Sequence, residues 1–216
     1  MLQIAVLISG NGSNLQALID ARNSGRLQIE IVHVISNRGN AAGLERAARA
    51  GIPTSILEHS GFHDRADFDQ TLAVLISIHT PELVILAGFM RILGRAFLDQ
   101  CPCPVINLHP SLLPRHRGTG TYRRAIQAGD SEHGSSMHFV TAELDSGPVI
   151  SQVRVPIKPG DDEKSLMRSL EPKEHGLVVA TTELFCTHSV QCSCDAVIID
   201  GKRLAKPLLL NTDGTF

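Results

Sequence analysis

Ile4-Ala5-Val6-Leu7-Ile8-Ser9-Gly10-Asn11-Gly12-Ser13-Asn14 begins as an apolar run and stops at a glycine loop. Ile4–Ser9 reads as a buried strand, and Ser13–Ser24 as a helix closed by Gly25. A strand, a tight loop and a helix make the first part of a βαβ unit. The same alternation continues outward. Ile29–Ser36, Pro53–Leu57, Leu83–Ala87 and Val105–His109 read as strands. Ala41–Ala50, Asp67–His79 and Tyr122–Ala128 read as helices, the first stopped by Gly51 and the last by Gly129.

Strands alternating with helices predict an α/β fold with an open twisted sheet, its parallel N-terminal half built of Rossmann-like βαβ units. The pattern then changes. Ser135–Val140 and Val149–Ile157 read as strands that pair across Thr141–Pro148. Glu163–Cys186 is helical, with Pro172 expected to interrupt or restart it. Val197–Ile199 and Asp200-Gly201 suggest a terminal hairpin. The expectation is one domain over 1–216, with a parallel half over 1–110 and a mixed half over 111–216.

Composition narrows the function classes. The chain has 216 residues, a formal net charge of −2, 19% charged and 43% hydrophobic residues. No basic field advertises nucleic-acid binding, and the balance is too apolar for disorder. The N-terminal run lacks a basic leader, and no apolar stretch reaches the roughly 18 residues of a membrane span, so a cytoplasmic protein is expected. Cys101, Cys103, Cys186, Cys192 and Cys194 are read as thiols of a reducing compartment. Cys186, His188, Cys192 and Cys194 cluster, but without the paired ligand spacing of a structural zinc site, so no metal is expected.

Ligands of open parallel sheets bind beyond the carboxyl ends of the strands. Three segments with unusual chemistry end there. Gly10-Asn11-Gly12-Ser13-Asn14 offers backbone amides at a helix start, where an anion such as phosphate is favoured. Leu15 replaces the third glycine of a dinucleotide fingerprint, and no Gly-Lys-Ser/Thr follows. The alternative is a tight turn with Ser13 as the helix cap. In Asn107-Leu108-His109-Pro110, Asn107 and His109 project from one face of the strand end. Asp145, in a turn before Gly147, could orient His109 and favour its charged form, or be an ordinary turn aspartate.

The chain resembles the phosphoribosylglycinamide formyltransferase family from about Ile4 to His175. The resemblance rests on Gly10–Asn14, Ala87-Gly88-Phe89-Met90-Arg91-Ile92-Leu93, Asn107-Leu108-His109-Pro110-Ser111-Leu112-Leu113-Pro114, and His138-Phe139-Val140 through Leu144-Asp145-Ser146-Gly147-Pro148-Val149-Ile150. It implies a formyltransferase-like fold and formyl transfer from 10-formyltetrahydrofolate, as co-substrate, to glycinamide ribonucleotide. By the same resemblance Asn107, His109 and Asp145 are catalytic. Asn11, Gly12, Ser13 and Asn14 would hold the acceptor's phosphate and ribose, and Glu174 its glycinamide part. Arg65, Met90, Arg91, Ile92, Leu93, Asn107, Thr141, Ala142, Glu143, Leu144 and Asp145 would hold folate, with backbone groups of 90–93 reading the pterin. The partners implied are small molecules, with no nucleic acid or membrane, for a monomer or homodimer.

Gly120 stands where many members carry histidine, Arg117-Gly118 where they carry Pro-Gly, and Pro172 where helix is expected. The cysteine-rich tail lacks the family's tyrosine-proline pair. Methionyl-tRNA formyltransferase is similar around Ser111–Pro114 and Arg117-Gly118, and formyltetrahydrofolate deformylase uses the same donor. Both usually carry an added domain. A non-catalytic binder of folate or a phosphorylated ligand is the remaining class.

Overall fold

The computed structural model describes residues 1–193 and 195–216. The chain divides into two compact units, Met1–Ile106 and Asn107–Phe216.

The first unit is a parallel sheet with intervening helices. Its strands are β1 (Leu2–Ile8), β2 (Ile29–Ser36), β3 (Thr54–Ile56) and β4 (Leu83–Leu86). They lie in the order β4-β1-β2-β3, with Ile4 opposite both Ile31 and Leu83. Ile4 through Ile8 are fully buried, as an apolar run covered on both faces requires. The helices are α1 (Ser13–Asn23), α2 (Ala42–Arg49), α3 (Arg65–Ser77) and a short α4 (Arg95–Leu98). α3 starts ahead of the expected Asp67, because the Asp64 side chain caps it by accepting from the Asp67 amide at 3.0 Å.

The cap of α1 corrects the reading of Ser13. Gly12, in the left-handed region at φ 73°, is the cap, and Ser13 is the first helical residue. The glycine is needed there for space as well as conformation. A Cβ on Gly12 would lie 2.7 Å from Gly43 Cα, and the Gly43 amide donates to the Gly10 carbonyl at 3.0 Å. The loop therefore seats directly on the start of α2.

β5 (Val105–His109) closes the first unit with Val105-Ile106 and opens the second with Asn107-Leu108-His109. The second unit adds α5 (Thr121–Gln127), β6 (Glu132–Phe139), β7 (Val149–Pro156) and α6 (Glu163–Thr187). β6 and β7 are antiparallel across the expected turn, with Glu132 opposite Pro156. The helix α6 runs unbroken through Pro172, contrary to the expected interruption. An interior proline costs about 3 kcal/mol. Here Leu166, Leu170, Leu177 and Val178 bury one long face of the helix, which outweighs that cost. A capping box of Asp162 and Ser165 fixes its start.

In the tail, β8 (Val190–Ser193), β9 (Ala196–Ile199) and β10 (Lys202–Arg203) form a small antiparallel sheet. The expected hairpin is its β9–β10 half. β11 (Leu208–Leu209) runs parallel beside β7, extending the order β5-β6-β7-β11. Cys194 lies outside the described residues. Among those described, no helix is long and apolar enough to cross a membrane.

Gly12→Ala should destabilise the protein by about 2–4 kcal/mol, since it adds left-handed strain to a steric conflict. Denaturant unfolding measures this, and an unchanged midpoint with unchanged slope would show that the close approach is not needed.

Candidate active site

In the first unit the glycine loop is held open by a residue the motif does not contain. Arg46, on α2, donates through Nη2 to Asn11 Oδ1 at 2.7 Å and through Nε to the Asn11 carbonyl at 2.9 Å. This fixes the Asn11 side chain and places a guanidinium beside the loop, where an anion gains a cation as well as amides. The Asn14 Oδ1 atom is buried with no hydrogen-bond partner. A buried acceptor wants a donor, and a sugar hydroxyl can supply one where a phosphate dianion cannot.

The segment Met90–Leu93 is anchored at both ends. Met90 donates its amide to Ser9 Oγ at 2.7 Å, and Ser9 Oγ in turn donates to Asn37 Oδ1 at 2.5 Å. Gly94 donates its amide to Asp69 Oδ2 at 2.8 Å. The Met90 amide is thus already engaged, which leaves the polar backbone groups further along the segment for a ligand. Met90 and Ile92 are exposed while Leu93 is core. Arg91 lays its guanidinium 4.2 Å from the Phe68 ring centroid. Arg65 is half-exposed, its Nε 3.8 Å from Asp69 Oδ2. Burial holds the Asp69 carboxyl above its ordinary range, against the opposing pull of the Gly94 amide and the two arginines.

The second unit brings Asn107, His109 and Asp145 together. Asp145 sits in left-handed backbone at φ 47°. Its Oδ2 accepts from the Gly118 amide at 2.8 Å and lies 3.4 Å from His109 Nδ1. The other face of the imidazole is also engaged, since His109 Nε2 donates to the His116 carbonyl at 3.1 Å. Acceptors thus stand near both ring nitrogens, and the carbonyl, which only accepts, places a proton on Nε2.

A second histidine completes the group. His138, on β6, lies edge-on to His109 with centroids 6.5 Å apart. Burial pushes its pKa down to about 4, outweighing the Phe139 carbonyl and Asp145, so the ring is neutral near pH 7. Its Nδ1 must donate to the Phe139 carbonyl at 2.9 Å, because a carbonyl only accepts. Nε2 is then the lone-pair nitrogen, and Asn107 Nδ2 donates to it at 3.1 Å. This chain of assignments fixes the Asn107 amide, whose nitrogen keeps a second hydrogen for another acceptor. The 3.7 Å approach of His138 Nε2 to Asp145 Oδ1 is therefore a contact with a neutral ring.

Among the remaining expected residues, Thr141 bonds through its hydroxyl to the Glu143 carbonyl and to Ser146 at 3.2 and 3.3 Å. Ala142, Glu143 and Leu144 are exposed in this turn, and Arg117 Nη1 approaches Glu143 Oε1 at 3.4 Å. Glu174 is buried on α6, accepting from Ser135 Oγ at 2.5 Å. Burial raises its pKa. The rings of Tyr122 and His133 lie tilted against one another, centroids 4.9 Å apart. Burial lowers His133 to about 4 and pushes the Tyr122 phenol up, the Glu174 charge adding to the latter.

Arg46, Ser9, Asn37 and the role of His138 escaped the sequence reading. His138 belongs to a quoted motif, but its neutrality follows from burial that no motif displays. Arg46 reaches Asn11 across 35 positions, and no local pattern encodes that. Among the described residues, the metal-capable side chains that gather three together are the exposed His63, Asp64 and Asp67. Cys194, of the tail cluster for which no metal was expected, lies outside the described residues.

In the second unit, an asparagine and a histidine at a strand end thus meet an aspartate delivered by the turn between β6 and β7. The chain belongs to the formyl transferase family, whose pattern matches residues 2–182. It is 44% identical over 203 residues to the phosphoribosylglycinamide formyltransferase of Escherichia coli (strain K12), spanning 94% of this chain and 96% of that protein. The protein of the same name from Haemophilus influenzae is 38% identical over 206 residues, covering 95% and 97%. The solved phosphoribosylglycinamide formyltransferase of Coxiella burnetii superposes with a TM-score of 0.91 at 46% identity, covering 96% of this chain and 98% of that one.

The histidine assignments carry a pH consequence. His138 has a folded-state value near 4 against an ordinary 6.5, so between those values the unfolded chain binds more protons. Stability from this ring is therefore present above pH 6.5 and lost as pH falls toward 4, by an amount on the order of 2–3 kcal/mol. The buried carboxyls Asp69 and Glu174 act in the opposite sense, so the contribution is isolated by a variant. His138→Asn should lose less thermal stability than wild type over that acidification. Equal losses in the two proteins would remove the neutral ring.

Proposed function

We propose that this chain transfers the formyl group of 10-formyltetrahydrofolate to the amine of glycinamide ribonucleotide, in purine biosynthesis. Near-complete coverage of relatives bearing that activity supports the reading. The observation that carries it at the level of chemistry is the convergence of Asn107, His109 and Asp145, with donors fixed on two of them.

In this reading the acceptor amine attacks the formyl carbon, a new carbon–nitrogen bond forms, and negative charge collects on the formyl oxygen. The free hydrogen of Asn107 Nδ2 and the Nε2–H of His109 stabilise that oxyanion. Asp145 orients the ring and accepts, through a water, the proton that the attacking amine sheds. That proton passes to the folate nitrogen as its bond to the formyl carbon breaks. Tetrahydrofolate and the formylated ribonucleotide leave, with no covalent intermediate on the protein and no metal in the step.

Asn11, Gly12, Ser13 and Asn14 bind the acceptor's phosphate and ribose, with Arg46 as the added cation, and Glu174 binds its glycinamide part. Arg65, Met90, Arg91, Ile92 and Leu93 contribute to folate binding, as do Asn107 and the turn from Thr141 to Asp145. The thiols Cys101, Cys103 and Cys192 fit a cytoplasmic setting for this small-molecule chemistry.

The test follows tetrahydrofolate release from 10-formyltetrahydrofolate with and without glycinamide ribonucleotide. Release that depends on the ribonucleotide is expected; release without it would mean hydrolysis instead. His109→Ala and Asp145→Asn should each lower kcat by about 10²–10³ while folate affinity holds. Wild-type turnover in either one overturns its assigned role. Ser13→Asp should raise KM for the ribonucleotide by placing like charge beside its phosphate, and an unchanged KM would take the loop out of the site.

A further inference from the structure

The acceptor that holds His109 Nε2 is itself bonded by Arg124, and its residue is held by Asp130. The His116 carbonyl, 3.1 Å from that nitrogen, belongs to a residue in left-handed backbone at φ 53°. A non-glycine residue keeps such a conformation only where its surroundings impose it. The His116 ring meets Asp130 Oδ2 through Nε2 at 2.7 Å, just beyond the end of α5. Arg115 Nη1 lies 3.7 Å from the other oxygen of that carboxylate. Arg124, on α5, donates through Nη2 to the His116 carbonyl at 2.9 Å and to the next carbonyl, Arg117, at 2.6 Å.

We propose that His116, Asp130 and Arg124 are positioning residues for the transfer reaction, holding the His116 carbonyl as a resting acceptor that keeps the His109 Nε2 proton aimed and available. This rests on the reading of His109 as an oxyanion donor. The His116 carbonyl shares its two lone pairs between Arg124 and His109, so it is a neutral acceptor of divided strength. An uncharged formyl oxygen offers His109 no advantage over it. Once that oxygen carries negative charge it becomes a far better acceptor, and the Nε2 proton changes partner. The exchange is favourable only as the tetrahedral species forms, so the interaction lowers the barrier without tightening substrate binding. Asp130 and Arg124 matter because a carbonyl free to swing would release the ring to other orientations and tautomers before the substrates arrive.

The experiment compares Asp130→Ala, Asp130→Asn and His116→Gly with wild type in steady-state kinetics and in 15N spectra of histidine-labelled protein. Glycine accepts the left-handed backbone without strain, so His116→Gly removes the ring while sparing the turn, and it carries the test if Asp130→Ala does not fold. Both Asp130→Ala and His116→Gly should lower kcat by roughly 10- to 100-fold with both KM values unchanged, since small misplacements of a reacting group have effects of this order. The His109 Nε2 resonance should shift away from its protonated position in both. Asp130→Asn still accepts from the His116 ring and should restore most of kcat and of the spectrum. In a His109→Ala background, Asp130→Ala should cost nothing further, because both changes act through one ring. Wild-type kcat in Asp130→Ala or His116→Gly overturns the proposal, and so does lost kcat with an unmoved His109 resonance, or failure of Asp130→Asn to recover activity. Full turnover in His109→Ala alone would instead sink the parent reading, while the spectra would still report whether Asp130 holds the ring.

Discussion

Asp145 places a carboxylate in a position with little access to water, and such a group has to find its donors within the protein. The Gly118 amide supplies one from the loop after β5, and His109 stands at the end of β5 itself. His138, from β6, packs on the remaining side without donating to it. Bringing these segments to one carboxylate requires backbone that ordinary residues avoid. Asp145 takes a positive φ, Gly118 does the same at 79°, and a Cβ on Gly147 would stand 1.9 Å from the Phe139 carbonyl. The turn between β6 and β7 is thus specified by the carboxylate it must deliver, with local strain offset by satisfied donors.

Two histidines flank that carboxylate, and their partners separate their duties. His138 spends Nδ1 on a backbone carbonyl and is buried deeply enough to stay neutral, so its remaining nitrogen can only accept. An acceptor at that point turns the Asn107 amide nitrogen toward the strand end. His109 faces acceptors at both nitrogens and donates through Nε2. Similar side chains in different surroundings thus yield one orienting group and one donor, a division set by hydrogen-bond partners and desolvation.

Much of the fold could be read from local pattern, because the N-terminal strands are buried on both faces. Val105–His109 was expected as a strand and is one to the residue, and the β6–β7 pair and its turn were also expected. The misses share a physical cause. β11 is a two-residue strand whose existence depends on a distant partner, Ser151 for Leu208. Pro172 argues locally for a break, and the long buried face of α6 overrides it. At the site, Asn107 and His109 share a face by strand geometry alone, whereas the meeting of Asp145 with His109 needs the β6–β7 register, which spacing does not give. Ser13 as a cap was the natural local choice, but the close approach of Gly12 to Gly43, far along the sequence, makes Gly12 the residue that turns.

Glu174 shows how burial alone can prepare a polar group for a ligand. Desolvation raises its pKa, and Ser135 offsets only part of that effect. Nearby, Tyr122 and His133 are both pushed toward their neutral forms, and buried His133 Nε2 and Thr121 Oγ1 have no hydrogen-bond partner. A carboxyl in such surroundings lacks the donors that water would give it. A ligand that brings amide or amine hydrogens recovers that deficit, and one that brings only apolar surface deepens it. Discrimination then comes from the penalty on ligands without those donors, which for a site built to hydrogen-bond its substrate exceeds what fit to an apolar pocket supplies. In the proposed function, the same desolvation that destabilises an unliganded carboxylate becomes a means of choosing the acceptor.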